Sequence, residues 1–314
     1  MPRSAGAAVG KGSGQYRRMS SELLRIRDLV PDFQAYADDC GTLDRTRWPG
    51  LWRSRYLDRH PRIFRELDRE GEWSRPDDLA AILGRLHEDT TDLMARSAAV
   101  RALLPIGVAA VAELLGWTGE GGPVDCIVLV GLQRANGWAD ALDGRYALFL
   151  AVEQLGVADD DRLLVLHEVA HVVHDRLAGI RDWPPHGLAS CLLTEGLATQ
   201  VSVETAPGRA DEEYLWFGRP GYRAWLDECR WRWSEILERI GNDLDGIDPA
   251  RHAPYFLMRD SPLAGDLPKR CGYLVGLEVV RRLRKDHPLP EIARWNLDRV
   301  GTEVRQALEQ LAAH

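Results

Sequence analysis

The sequence predicts an α+β fold that is mostly helical and carries a small β-sheet near the middle of the chain. Two short apolar runs, 124–130 and 146–152, have the length and composition of buried strands. The segments before and after them repeat apolar residues at helical spacing. Helices, then a sheet of two or three strands, then helices again is an order typical of the α+β class.

The N-terminal part divides into a leader and a helical segment. Residues 1–18 are small and basic and lack the apolar core of a secretory signal, so we expect a disordered leader. Residues 19–118 are predicted to form a helical N-terminal subdomain. Its apolar run 103–117 contains Pro105 and Glu113, which favours a buried core helix over a membrane span. The break GEGGP at 119–123 separates this part from a second domain at 119–314.

Composition and charge exclude several function classes. Hydrophobic residues make up 45% of the chain and charged residues 28%, the balance of an ordinary globular protein. The formal net charge of −8 gives no general attraction to phosphate backbones or anionic lipid, so we predict neither a nucleic-acid nor a membrane partner. The five cysteines form no CxxC pair, which predicts a reducing, cytoplasmic compartment without disulfides. The oligomeric state stays open.

One motif carries chemistry. The apolar segment 163–177 contains the sequence HEVAH, an HExxH motif that begins at His167. Residues four apart lie on one helix face, so His167 and His171 can both bind one Zn²⁺. Glu168 lies beside that face, where it can accept a proton from water on the metal as a general base.

A catalytic zinc site needs a third protein ligand and an open position. Glu195, in the sequence TEGLA, is the only carboxylate of the apolar run 188–203. The 23 residues between His171 and Glu195 suffice for a helix end, a loop and a return helix. The sequence therefore predicts that Glu195 faces the two histidines from a second helix.

These motifs resemble those of a known enzyme group. An HExxH helix followed by an EGLA helix resembles the gluzincin metallopeptidases, and it is similar to an uncharacterised family of predicted Zn-dependent proteases. That family has a late Gly-Tyr-x-x-Gly segment, present here at 272–276, and the resemblance covers roughly residues 120–285. The metzincin pattern is not met, because His174 and Leu177 stand where that group has its Gly and its third His.

The resemblance implies a fold, a cofactor and residue roles. Residues 119–314 would form a zincin-like metallopeptidase domain in which Zn²⁺ is bound by His167, His171 and Glu195. Glu168 would be the catalytic base, and Tyr273 would donate a hydrogen bond to the oxyanion that develops on the attacked carbonyl. Three rivals for this last role stay open, namely Tyr222, His174 and His252.

The implied activity is the hydrolysis of peptide bonds in a peptide or protein substrate, whose identity and endo- or exo-cleavage stay open. In gluzincins an edge strand before the metal helix binds the extended substrate. The run 146–152 has the right place in the order, although it could equally be a plain core strand. One alternative function is a zinc-binding regulatory protein that acts on or senses a dedicated partner without general proteolysis. A second is a helical interaction protein with an accidental HExxH, which is favoured if Glu195 points away from the histidines.

Overall fold

A computed structural model describes residues 22–67, 73, 78–156, 161–180, 186–258 and 266–313. The predicted leader at 1–18 lies outside these residues. The described chain is mostly helical and contains one small sheet, which confirms the α+β class.

The elements follow one another in three groups. The first group comprises β1 (Leu24–Asp28), α1 (Val30–Cys40), α2 (Trp48–Arg55), α3 (Pro61–Leu67), α4 (Leu79–Glu88) and α5 (Thr90–Leu115). The second comprises β2 (Val124–Leu129), β3 (Gly137–Leu142) and β4 (Arg145–Ala151). The third comprises α6 (Arg162–Ala178), α7 (Gly187–Thr205), α8 (Asp211–Leu215), α9 (Arg223–Trp231), α10 (Trp233–Asp243), α11 (Pro249–Phe256), α12 (Cys271–Leu283), α13 (Leu289–Ile292) and α14 (Leu297–Ala312). Short 3₁₀ helices lie at Arg45–Arg47, Leu57–Arg59 and Val152–Gln154.

The sheet has four strands in the order β1-β2-β4-β3. The pairs β1–β2 and β2–β4 are parallel, and β3 runs antiparallel to β4 at one edge. The predicted runs 124–130 and 146–152 match β2 and β4 to within one residue at each end. The other two strands were not predicted, so the expectation of two or three strands is corrected to four.

Strand β1 changes the interpretation of the N-terminal segment. Residues 19–118 were expected to be helical, but Leu24–Asp28 pairs with β2 from Leu24↔Val124 onward. Its alternation of apolar residues with Arg25 and Arg27 has the period of two that suits a strand with one face buried. The β1–β2 pairing crosses the predicted boundary at residue 118. The division into two domains stays a prediction.

The antiparallel edge is made by a tight hairpin between β3 and β4. Asp143 and Gly144 connect the strands with φ values of 52° and 79°. Two consecutive positive φ values are what a two-residue type I′ turn requires, and Asp-Gly is among its preferred pairs. This turn aligns Gly137 with Leu150 across the hairpin.

Helix α5 is a central core helix. It contains the predicted buried helix, begins earlier, at Thr90, and includes Pro105 in its interior. It packs closely on α6, because a Cβ added at Gly107 would lie 2.9 Å from a Val165 methyl group. Of the helices in the described ranges, α5 alone has the length and apolar composition that a membrane crossing requires. Much of its apolar surface is nevertheless buried inside the protein, from Leu93 to Leu115. The absence of a membrane partner stays a prediction.

All five cysteines are buried, and no two of them form a disulfide. This agrees with the predicted lack of a disulfide framework. The cytoplasmic location stays a prediction.

Candidate metal centre and its cavity

The HExxH motif lies in the middle of α6, which ends at Gly179 in a left-handed C-cap with φ 65°. Its apolar residues are buried on nearly all sides, because α6 packs against the sheet and against α5 and α7. The four-residue spacing places His167 and His171 one above the other, with ring centroids 4.7 Å apart. His167 is 1% exposed, and the His171 side chain is 16% exposed.

Glu195 comes from the neighbouring helix, as predicted. It lies in α7, which is buried from Gly187 to Ser202 and packs along α6. Its carboxylate points toward the histidines and is 11% exposed.

Two glycines allow α7 to approach α12 at backbone distance. A Cβ added at Gly196 would lie 2.1 Å from the carbonyl oxygen of Gly276, and one added at Gly276 would lie 2.5 Å from the carbonyl oxygen of Leu192. Gly196 directly follows Glu195, and Gly276 lies one turn after Tyr273. The glycines of the EGLA and Gly-Tyr-x-x-Gly segments therefore set the spacing of the helices that carry these two side chains.

Three ligand atoms converge at this point. The Nε2 atom of His167 lies 3.0 Å from Oε2 of Glu195 and 3.0 Å from Nε2 of His171, and the distance from His171 Nε2 to Glu195 Oε2 is 3.4 Å. A tetrahedral Zn²⁺ with ligands at roughly 2.0–2.1 Å separates its ligand atoms by about 3.3 Å. The three side chains could therefore hold one metal ion, and their imidazole and carboxylate atoms are ligand types that zinc accepts.

The electrostatics favour the metal-binding protonation states of His167 and Glu195. Burial lowers the pKa of His167 to about 4, although Glu195 opposes the shift. Burial raises the pKa of Glu195, but the two imidazoles outweigh this effect and hold that pKa well below its ordinary value. A neutral imidazole and an ionised carboxylate are the forms in which these two side chains bind a cation.

Glu168 is separate from the ligand group but faces the same space. It is 7% exposed, lines the cavity beside the histidines, and does not belong to the converging atoms. Burial raises the pKa of Glu168 to about 7. Strand β3 lies directly against it, because a Cβ added at Gly137 would be 3.2 Å from Glu168 Cγ.

The ligand group opens into a cavity of about 650 Å³. One side, which we call the helix wall, is formed by α6, α7 and α12 with Glu168, Glu195 and Tyr273. A second part of the lining, the strand wall, is formed by residues 133–136 of the loop 131–136 and by the start of strand β3. The segment 216–219 and residues 256–258 complete the rim.

The sequence left two alternatives open for the run 146–152, a substrate-binding edge strand or a plain core strand, and the structure shows a core strand. The run 146–152, now β4, lies between β2 and β3, so both of its sides are already hydrogen-bonded within the sheet. The edge strand beside the metal group is β3, whose first residues Gly137, Trp138 and Ala139 line the cavity.

The four candidates for stabilising the oxyanion are not equally placed. Tyr273 lines the cavity, and its ring centroid lies 6.1 Å from that of His167. Tyr222 stacks on Trp216 with ring centroids 3.6 Å apart, and the Nε2–H of His252 donates to the carbonyl oxygen of Gly246 at 2.6 Å. His174 is 1% exposed, and burial lowers its pKa to about 3. None of the last three is among the cavity-lining residues that the structure describes.

Sequence reasoning missed Arg270, which also lines the cavity. It immediately precedes α12 in the left-handed conformation, with φ 64°. Its guanidinium lies against the rings of Trp216, Phe217 and Tyr273. No local pattern marks this residue, since two of the three rings come from a segment more than 50 positions earlier.

Comparison of the chain with models of known protein families, with curated proteins and with solved structures finds no match. The resemblance to the gluzincins stays a prediction that depends on the motifs.

Proposed function

We propose that this protein is a zinc-dependent peptidase with a zincin-like fold, in which His167, His171 and Glu195 bind Zn²⁺. The observation that carries the proposal is the convergence of three ligand atoms beside Glu168, a buried carboxylate that stays outside the group. A structural zinc site uses four protein ligands, whereas a catalytic site uses three and leaves one position open. The described residues contribute three.

The proposed catalytic role of each group follows from its position in the site. When bound, Zn²⁺ supplies Lewis-acid polarisation of a carbonyl and acidifies water. The Glu168 carboxylate accepts the proton of the attacking water and passes it to the leaving nitrogen of the peptide bond. The Tyr273 hydroxyl donates a hydrogen bond to the carbonyl oxygen as negative charge develops there.

The strand wall suits an extended peptide. Strand β3 is the edge of the sheet and runs along the cavity beside Glu168. A peptide that adds to this edge gains main-chain hydrogen bonds and brings its carbonyls past the metal group. A peptide or cytoplasmic protein is therefore the proposed substrate.

The alternative of an accidental HExxH required Glu195 to point away from the histidines. Its Oε2 atom lies 3.0 Å from His167 and 3.4 Å from His171, so this condition is not met. The zinc-binding regulatory protein shares the metal group and differs only in the absence of hydrolysis.

The test combines metal analysis with three variants. We expect wild type to retain about one zinc per chain. Glu168→Gln should also retain it while losing hydrolysis of a casein-like substrate by roughly 10²–10⁴-fold. Glu195→Ala should lose zinc. Glu204→Gln, which alters the next carboxylate on α7, where it pairs with Arg284, is the control and should retain both zinc and activity.

The outcomes separate the three functions. A zinc-supplemented wild type that holds no zinc contradicts the metal centre. Hydrolysis that is unchanged in Glu168→Gln contradicts the assigned base. Stoichiometric zinc without hydrolysis of any peptide favours the regulatory protein.

A further inference from the structure

Arg270 is a cation fixed at the wall of the cavity without a carboxylate partner. Its Nη2 atom donates to the carbonyl oxygen of Leu215 at 3.2 Å, and its buried Nε has no hydrogen-bond partner among the described atoms. The structure shows no ion pair between Arg270 and any carboxylate of the described ranges. The positive charge of Arg270 acts to lower the pKa values of Glu168 and His167. Arg270 is therefore close enough to interact electrostatically with the metal group.

The guanidinium is held in place by aromatic rings. Its Cζ atom lies 4.0 Å from the ring centroid of Tyr273, 4.7 Å from Trp216 and 5.3 Å from Phe217. Stacking on aromatic faces stabilises a guanidinium and orients its planar fork without consuming all of its N–H donors. The Arg270 guanidinium also hydrogen-bonds the Tyr273 side chain, but it has no carboxylate partner among the described residues. A guanidinium fixed in this way can bind a carboxylate in bidentate geometry.

The charge of the cavity differs from that of the chain. The whole chain has a formal net charge of −8. Three arginines line the cavity, namely Arg134, Arg219 and Arg270. Only two acidic residues line it, Glu168 and Glu195, and Glu195 belongs to the metal group. An anionic ligand is therefore favoured inside the cavity although it is disfavoured by the protein as a whole.

The distance fits the end of a peptide. The Tyr273 ring centroid lies 6.1 Å from that of His167 and 4.0 Å from Arg270 Cζ, so the guanidinium lies within about 10 Å of the His167 imidazole. An extended residue spans roughly 3.3–3.6 Å, so one or two residues fit between the scissile carbonyl and Arg270. A peptide's N-terminal amine is a cation that Arg270 repels, whereas its C-terminus is an anion.

We infer that Arg270 binds the C-terminal carboxylate of the substrate, so that the enzyme removes one or two residues from the end of a peptide. This inference rests on the proposed peptidase function for the cleavage, but the carboxylate site itself is open to a binding measurement. The water-derived oxygen joins the new C-terminus, and the leaving nitrogen becomes the free amine of the released amino acid or dipeptide.

The experiment measures binding separately from turnover. Zinc-loaded Glu168→Gln protein is titrated calorimetrically with an N-acetylated peptide as the free acid, as the C-terminal amide, and as an amide with Asp at the last position. We expect the free acid to bind roughly 10- to 100-fold more tightly than the plain amide, the effect of a charged hydrogen bond. Adding Arg270→Gln should bring this ratio close to one, whereas Arg270→Lys should give an intermediate ratio because it keeps the charge but not the fork.

Arg282→Gln is the matched control, because it removes one arginine charge from the outer surface of α12, where Arg282 pairs with Asp286. It should leave the ratio unchanged. Zinc content and thermal unfolding show whether each variant is folded. Equal binding of free acid and amide, or a ratio that survives Arg270→Gln, overturns the inference. An Asp-bearing amide that binds like the free acid also overturns it and assigns the site to a side-chain carboxylate.

Turnover by wild type distinguishes failure of the inference from failure of the proposed function. Mass spectrometry of products should show the loss of one or two C-terminal residues from the free acid and little cleavage of the amide. Equal internal cleavage of both peptides overturns the inference and leaves the peptidase intact. Discrimination in binding without any cleavage supports the carboxylate site and counts against the peptidase.

Discussion

The helix wall and the strand wall face the same cavity but are built in opposite ways. The helix wall presents side chains, namely the ligand group, Glu168 and Tyr273, on three helices packed at close range. The strand wall presents the start of an edge strand and a loop with unusual backbone conformations. The comparison indicates that chemistry is placed on the wall that side-chain packing fixes, whereas the wall that would hold an extended substrate is shaped mainly by backbone.

The largest effect is expected where the helix wall is tightest. In Gly196→Ala, the new Cβ would lie 2.1 Å from a backbone oxygen of α12, and no side-chain rotation can relieve this contact. We expect the free energy of unfolding to fall by about 3 kcal/mol or more, at the upper end of overpacking effects. Zinc retention should fall with it, because Glu195 is the preceding residue. Chemical denaturation and metal analysis measure the two effects.

Gly301→Ala is the control for this substitution. Gly301 lies inside α14, and nothing lies within 4 Å of the position of an added Cβ. Alanine should stabilise that helix by about 0.5–1 kcal/mol because it restricts the unfolded chain and favours helix. If Gly196→Ala were as stable as Gly301→Ala and kept its zinc, the close contact of α7 and α12 would not define the helix wall.

The strand wall depends on a single carboxylate. Leu132 and Gln133 adopt left-handed conformations with φ 54° and 61°, a costly state for residues with a Cβ. Glu153 accepts hydrogen bonds from the backbone N–H of Gly131 at 2.8 Å and of Gln133 at 2.8 Å. These bonds hold the loop 131–136 in the shape that lines the cavity.

Glu153→Gln should therefore disturb the strand wall alone. Glu153 Oε2 also accepts from the Gly131 N–H, at 2.9 Å. In the glutamine variant an amide NH₂ takes the place of this oxygen, so two donors face each other in a partly buried site. We expect a loss of about 1–3 kcal/mol in the free energy of unfolding. Peptide binding should weaken while zinc content stays at the wild-type level, as measured by calorimetry and metal analysis.

Glu120→Gln provides the matched change at an exposed site. Glu120 also accepts from a backbone N–H, that of Thr118 at 2.7 Å, but its side chain is 50% exposed and water can replace the bond. Its effect should stay below about 0.5 kcal/mol. A loss of zinc in Glu153→Gln would show that the two walls are not independent.

The two walls also differ in how well the sequence predicts them. The sequence predicts that His167, His171 and Glu195 lie together. Helix periodicity aligns two histidines four residues apart, and a single carboxylate in a buried apolar helix needs a polar or charged partner nearby. On the other wall, β3 reads Gly-Trp-Ala-Asp-Ala-Leu, and three of its residue types are poor strand formers. Its strand conformation comes from pairing with β4, which no local pattern encodes.

Long-range contacts explain the remaining differences. Arg270 acquires its position from rings that are distant in sequence, so its residue type alone predicts only a solvated charge. The sequence left open whether β4 is an edge strand or a core strand, because strand order in a sheet is a tertiary property, and the residues of β3 were interpreted as a loop. By contrast, β1 carries a period-two signal at Leu24 and Ile26 that is present in the sequence but short, and a long helical region follows it.

The smallest effect concerns the outer support of the helix wall. Asp211, at the start of α8, accepts a bidentate pair of bonds from Arg281 of α12 at 2.6 and 3.2 Å, and these bonds hold the pKa of its carboxyl below the ordinary value. A depressed folded-state pKa stabilises the protein above the unfolded pKa of about 3.9, and this stabilisation is lost as the pH falls through the folded-state value. Asp211→Asn should therefore cost about 1 kcal/mol at pH 7 relative to wild type, and the difference should shrink below about pH 4.

Urea denaturation of wild type and Asp211→Asn between pH 3 and pH 7 measures this difference, with Asp227→Asn as the control. Asp227 pairs with Arg223 four residues earlier on α9, and both side chains are more than half exposed, so its removal should cost no more than about 0.5 kcal/mol. A pH-independent cost for Asp211→Asn would mean that packing, and not the charge pair, joins α8 to α12. A cost equal to that of Asp227→Asn would mean that the pair of Asp211 and Arg281 supports the helix wall no more than an exposed ion pair does.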